Sequence, residues 1–192
     1  MLARTHDLAA ITALAAVATV VSVPEMTLST LLIALLANQI GGIAPDIDQP
    51  TAPFWRNLPV GHILGKVVDR FLGGHRFLSH SLLGVALFAF LTKLLLAFIH
   101  PLMPKVDNQI VWWAFVIGML SHLVMDTITK EGVPWLLPIP FKFGVPPTKA
   151  LRITTGHVVE KAVIFPVLLA TDIWLVHTNY PAILAYVHHL QR

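Results

Sequence analysis

The sequence predicts an all-α fold, a polytopic membrane bundle of about five transmembrane helices, and three observations carry that prediction. Of the 192 residues, 56% are hydrophobic and 12% charged, with a mean hydropathy of +0.74, far from the balance that a water-facing surface needs. The apolar residues gather into separate runs of helical length, and the basic residues gather in alternate connections between them. The length suits one domain over residues 1–192. There are no cysteines, which excludes disulfides, thiolate catalysis and Cys-ligated zinc. The net charge of +3 comes from dispersed loop residues rather than one basic stretch, so nucleic acid is not an expected partner.

Taken in order, the first apolar run covers residues 8–23. Arg4 ahead of it and small residues at its end give it the look of a signal peptide, but the further apolar runs favour retention as a first helix. The second run, 28–43, ends in Gly41 and Gly42. Residues 61–72 place Ile63, Leu64, Val67, Val68 and Phe71 at helical spacing, which reads as an amphipathic helix lying in the membrane interface or packed on the protein itself. The third, fourth and fifth runs are 81–99, 110–125 and 162–176. Several runs fall short of the roughly 20 residues that cross about 30 Å of hydrocarbon, which allows tilted or shallow segments. Residues 132–147 are rich in proline, with Trp135, Leu136, Leu137, Phe141 and Phe143, and predict a looped cover or short hairpin rather than a helix.

Charge sets the expected orientation. The connection after the second run carries Arg56, Lys66, Arg70 and Arg76, and the one before the fifth carries Lys130, Lys142, Lys149, Arg152 and Lys161. The opposite connections hold no basic residue at 23–28 and only Lys105 at 101–109. The positive-inside rule then puts the N-terminus in the cytoplasm and the C-terminus outside, with Trp112, Trp113, Trp174 and Tyr180 near the outer boundary.

Ionisable residues in or beside such runs need a partner, a cavity or an ion. His122 and Asp126, four apart, share one helix face, as two metal ligands do, and equally as a hydrogen-bonded pair at a helix end does. Asp46 and Asp48 follow the two glycines and a proline; in an extended segment they share a face and suit a divalent cation, the alternative being a solvated acidic turn. In the cluster 75–81, His80 could ligate metal, while Arg76 offers a forked donor to a phosphate or serves as a positive-inside anchor. Thr5-His6-Asp7 and the pair His157 and Glu160 are weaker signals. The topology brings His6, Asp46, Asp48, His80, His122, Asp126, His157 and Glu160 to one side, and so many nitrogen and oxygen donors at one depth predict a shared metal site. Asp172 and Lys93 lie about 18 Å along their helices from that level and are not expected to join it.

The segments Thr5-His6, Pro45-Asp46-Ile47-Asp48, Arg76 to Ser81 and Ser121-His122-Leu123-Val124-Met125-Asp126, followed by Thr127 to Gly132 and the proline-rich stretch, resemble the YdjM-type membrane-bound metal-dependent hydrolases over most of the chain. The resemblance implies a bacterial or archaeal inner-membrane protein, in some cases under LexA control. A looser similarity, in the order of the His and Asp residues, joins the chain to the zinc-dependent phospholipase C and single-strand nuclease group, whose site is multinuclear. His157-Val-Val-Glu160 departs from that group's four-residue step.

The expected function is phosphoester hydrolysis at the cytoplasmic surface. Two or more divalent ions, zinc first and manganese or magnesium next, would be held by the eight residues above, with Asp48 or Glu160 as general base and Arg76 on a phosphoryl oxygen. The expected partners are membrane lipids and a lipid or lipid-linked phosphate substrate. The competing readings are a divalent metal-ion transporter and a non-catalytic metal-binding membrane protein.

Overall fold

The computed structural model of the chain describes residues 1–21, 26–74, 76–139 and 141–190. Its helices are α1 (Ala3–Val20), α2 (Leu28–Ile43), α3 (Pro53–Arg56), α4 (Gly61–Phe71), α5 (Leu82–Ile99), α6 (Asn108–Thr127), α7 (Phe165–Thr178) and α8 (Tyr180–Leu190). A 3-10 turn, Ala44–Asp48, extends α2, and a π-helical turn, Glu160–Ile164, leads into α7. Among the described residues four helical stretches are long and apolar enough to cross a membrane: Leu28–Asp48, Leu82–Leu102, Asn108–Thr127 and Glu160–Thr178. The first expected run is α1, less apolar because Arg4, His6 and Asp7 occupy its first turns; the connection expected at 23–28 lies mostly outside the described residues.

The bundle is built on α6, whose Val111, Ala114, Phe115, Met119 and Leu123 are buried. Its tightest neighbour is α2, and two glycines explain why. A Cβ on Gly118 would overlap the Asn38 carbonyl oxygen, and one on Gly41 would overlap that of Phe115, so only glycine lets the two backbones approach this closely. The Asn38 amide, fully buried, donates to the Ala114 carbonyl at 3.0 Å across the same contact. Helix α1 packs against both α2 and α6, α5 against α6, and α7 against α1.

At the end of the bundle away from the acids, Asp107 caps α6 by accepting from the backbone of Gln109 and Ile110 at 2.8 and 3.1 Å. The Trp112 indole donates to the Ala89 carbonyl at 2.7 Å, tying α6 to α5. At the other end, Gly61 and Gly65 of α4 sit against Trp55 and Pro50, while Ile63, Leu64, Val67 and Phe71 face outward, Phe71 being 85% exposed. The protein thus takes the glycine side of α4 and leaves its apolar side open, the arrangement of an interfacial helix. The proline-rich stretch is a looped cover: Val133 and Phe143 exchange backbone hydrogen bonds at 2.8 and 2.9 Å, and Thr129 bridges to Ile153, without forming a strand. The Trp135 carbonyl accepts from the first amide of α5, which seats this cover on the bundle.

Candidate metal centre

The close α2–α6 contact places the carbonyl of Gly42 against the side chain of His122. His122 Nδ1 lies 2.6 Å from that carbonyl oxygen, a pure acceptor, so Nδ1 carries the proton and Nε2 keeps a lone pair. Nε2 is buried and has no hydrogen-bond partner, as expected of a donor atom aimed at an ion. One helical turn on, buried Asp126 points the same way. From α1, the His6 ring stacks on His122 at 3.7 Å between centroids, with Nε2 3.4 Å from Asp126 Oδ1. His80, at the start of α5, brings Nε2 to 3.6 Å from Asp126 Oδ2 and 3.8 Å from Asp46 Oδ1, and Asp46 Oδ1 lies 3.6 Å from His122 Nε2. Two groups of potential ligands result, His6 with His122 and Asp126, and Asp46 with His80 and His122, each with its donor atoms within 4.8 Å of one another. The mixed imidazole and carboxylate donors suit a divalent ion of borderline hardness.

Five of the eight residues expected as ligands thus converge. The other three occupy different places. Asp48 stands behind His80: its Oδ2 faces His80 Nδ1 at 3.3 Å and accepts from the Ser79 hydroxyl and, at 2.9 Å, from the backbone N–H of Arg76. This is a carboxylate–histidine arrangement in which the acid fixes the ring and its tautomer. Replacing Asp48 with asparagine is expected to weaken metal binding about 10- to 100-fold while leaving the bundle folded, as read by competition with a chelator of known affinity. Glu160, fully buried, accepts from the backbone N–H groups of Leu2 at 2.7 Å and Gly156 at 2.6 Å, so it fastens the start of α1 to the start of the last span. His157 is exposed and belongs to neither ligand group.

Arg76 is buried with a left-handed backbone, φ 58°, a conformation that a non-glycine residue adopts only where its surroundings hold it. Its guanidinium pairs with Asp126 Oδ2 and donates to Thr129 Oγ1 at 3.1 Å. The ammonium of Met1 also reaches Asp126, at 2.7 Å from Oδ1. Asp126 therefore receives two cations, the Met1 ammonium from the start of the chain and the Arg76 guanidinium from the connection before α5. His75, part of the same sequence cluster, lies outside the described residues.

Burial opposes charge on His80, yet the carboxylates of Asp126 and Asp48 outweigh it and raise the imidazole pKa above its usual value. An ion at His80 has to displace that proton. Metal affinity is therefore expected to climb with pH through the raised His80 pKa and to fall in acid, which a chelator titration repeated across pH would read.

Beside the ligands lies a cavity of about 240 Å³ lined by Ala3, His6, Asp7, Gly42, Ile43, Asp46, Ala52, Phe54 and Asn57. Phe54, on the short helix α3, and Asn57, the residue that follows it, belong to a segment with no motif of its own in the sequence. Asp7 was visible next to His6, but nothing marked it as a cavity wall.

A helical membrane protein with a buried His and Asp cluster at one end of its bundle is the class this geometry defines. The chain belongs to the family described as YdjM inner membrane protein, whose model matches residues 1–190. It is 30% identical over 132 residues to the uncharacterized protein YvsG of Bacillus subtilis, covering 69% of this chain and 71% of that one. It is also 30% identical over 136 residues to the inner membrane protein YdjM of Escherichia coli, covering 71% of this chain and 63% of the relative, under two thirds of its length. No solved structure matches.

Proposed function

We propose that the chain is a membrane-bound metal-dependent hydrolase that cleaves phosphoesters at the cytoplasmic face, with a lipid or lipid-linked phosphate as substrate. The observation that carries this reading is the convergence of His6, Asp46, His80, His122 and Asp126 beside a cavity lined by both polar and apolar residues. A divalent ion, zinc first by the donor set and manganese or magnesium next, would supply an acidified water and offset phosphoryl charge. His122 has a single lone pair facing the centre, since Nδ1 is committed to Gly42, so it can serve only one ion at a time. A second ion would be held by His80 and Asp46.

Around that centre the chain supplies orientation. Asp48 holds His80, Gly42 holds His122, and Arg76, buried and partnered by Asp126 and Thr129, is the cation beside the cluster that a phosphoryl oxygen would have to share. Asp7 lines the cavity without belonging to either ligand group and is placed to exchange a proton with water or a leaving group there. Ala3, Ile43, Ala52 and Phe54 supply apolar lining suited to the hydrocarbon part of an amphiphile.

The test is a phosphoester panel, lipid phosphates beside water-soluble ones, offered to metal-replete protein and to an Asp46→Ala variant. Turnover of the lipid substrates that disappears in the variant supports the proposal. Bound metal without turnover, together with His122-dependent ion flux in proteoliposomes, would replace it with a transporter.

A further inference from the structure

Two charges lie far from the metal centre, and nothing in the proposed chemistry uses them. Lys93 is on α5, twelve positions beyond the capping residue Ser81, and Asp172 is on α7, twelve beyond Glu160. Both helices start at the metal-site end, α5 next to His80 and α7 from the π-turn whose Glu160 holds Leu2. At the helical rise both charges therefore stand about 18 Å into a hydrocarbon layer about 30 Å thick, at matching depth.

Neither is at rest in its own chain. Lys93 is exposed, in one stripe with exposed Ala86, Phe90 and Ala97. The apolar run Leu94 to Ile99 separates it from the far end of α5, so its stem shortens the path to water without completing it. Asp172 sits at the margin of the side of α7 that packs on α1, between exposed Leu169 and Val176, and its Oδ1 is buried with no hydrogen-bond partner. Among the described residues neither charge has an ion-pair partner. An unpaired charge at this depth is costly, and the chain carries one of each sign at one level. Within the chain the two helices have different neighbours, α5 packing on α6 and α7 on α1.

We propose that copies of this chain associate side by side in the membrane, with Lys93 on α5 of one copy paired to Asp172 on α7 of the next. Since the two surfaces differ, the contact is head-to-tail, and its repetition gives a ring where the rotation closes and an open row where it does not. The occupant is a second copy rather than another protein because one chain carries both halves of the pair, already in depth register. The inference does not rest on the hydrolase reading, and its readout is independent of activity.

The absence of native cysteine makes the test direct. Ala97→Cys and Val176→Cys, each one turn beyond its charge and again at matching depth, are introduced separately into two differently tagged copies, which are co-expressed and oxidised in the membrane. The expected product is a disulfide between the 97 and 176 copies, in excess of 97 with 97 or 176 with 176. Adding Lys93→Asp to the first copy places two acids together and is expected to lower that product about tenfold or more. Adding Asp172→Lys to the second copy is expected to restore it. Cross-links only between like positions, no cross-link in the otherwise native background, or a yield indifferent to the charge changes would overturn the proposal.

Discussion

Replacing Gly118 with valine is expected to lower the stability of the detergent-solubilised protein by about 3 kcal/mol and to empty the metal centre with it. The first added carbon would overlap the Asn38 carbonyl oxygen and crowd the backbone nitrogen of Gly42, so the clash is with backbone, which cannot turn aside as a side chain can. Relief requires α2 and α6 to move apart. That movement withdraws the Gly42 carbonyl from His122 Nδ1, and the ring that supplies a donor to both ligand groups loses its fixed tautomer. Leu32→Val serves as the comparison, since Leu32 is 57% exposed on α2 and its change should stay within about 0.5 kcal/mol. Thermal unfolding and metal content measured together read both effects. A Gly118→Val protein that unfolds with the parent and keeps its metal would show that the glycine contact does not set the site.

Asp126→Ala is expected to cost as much by another route. This buried carboxylate receives the Arg76 guanidinium and the Met1 ammonium and faces His6, His80 and His122 at 3.4, 3.6 and 3.8 Å. Its removal leaves a guanidinium buried without its anion, a loss of about 3–5 kcal/mol, and deletes the acid that both oxygens bring to the centre. Asp126→Asn separates the two consequences. It keeps the shape and one acceptor, so most of the fold should survive, but the lost charge should still reduce bound metal to below about a tenth of the parent. If the asparagine variant binds metal as tightly as the parent, Asp126 is an anchor for Arg76 and not a ligand.

The helices and most of the residues that converge in the cluster were legible for one reason: in an apolar sequence, polar groups are few and each needs a cause. His122 and Asp126 share a face by helical periodicity alone, and His6, Asp46 and His80 follow once the ends of the runs are assigned to one side. The roles of Asp48 and Glu160 were not legible, because a carboxylate that orients a histidine or clasps a backbone has the same sequence signature as one that binds metal. Arg76 shows the same limit, since its left-handed backbone turns the guanidinium onto Asp126, and spacing does not encode that turn. Gly41 and Gly118 read as helix-end and mid-helix glycines until it is known which helices pair. His157 looked equivalent to Glu160 three positions on, yet one faces solvent while the other is fully buried.

Whether His6, Asp46, His80, His122 and Asp126 form a metal centre is decided by elemental analysis of the purified protein. The expected result is at least one divalent ion per chain after exhaustive dialysis, lost in His122→Ala while the helical content of that variant is preserved. Parent protein that carries no metal and takes up none from added zinc, manganese or magnesium, or a His122→Ala variant with the parent's metal content, would contradict it.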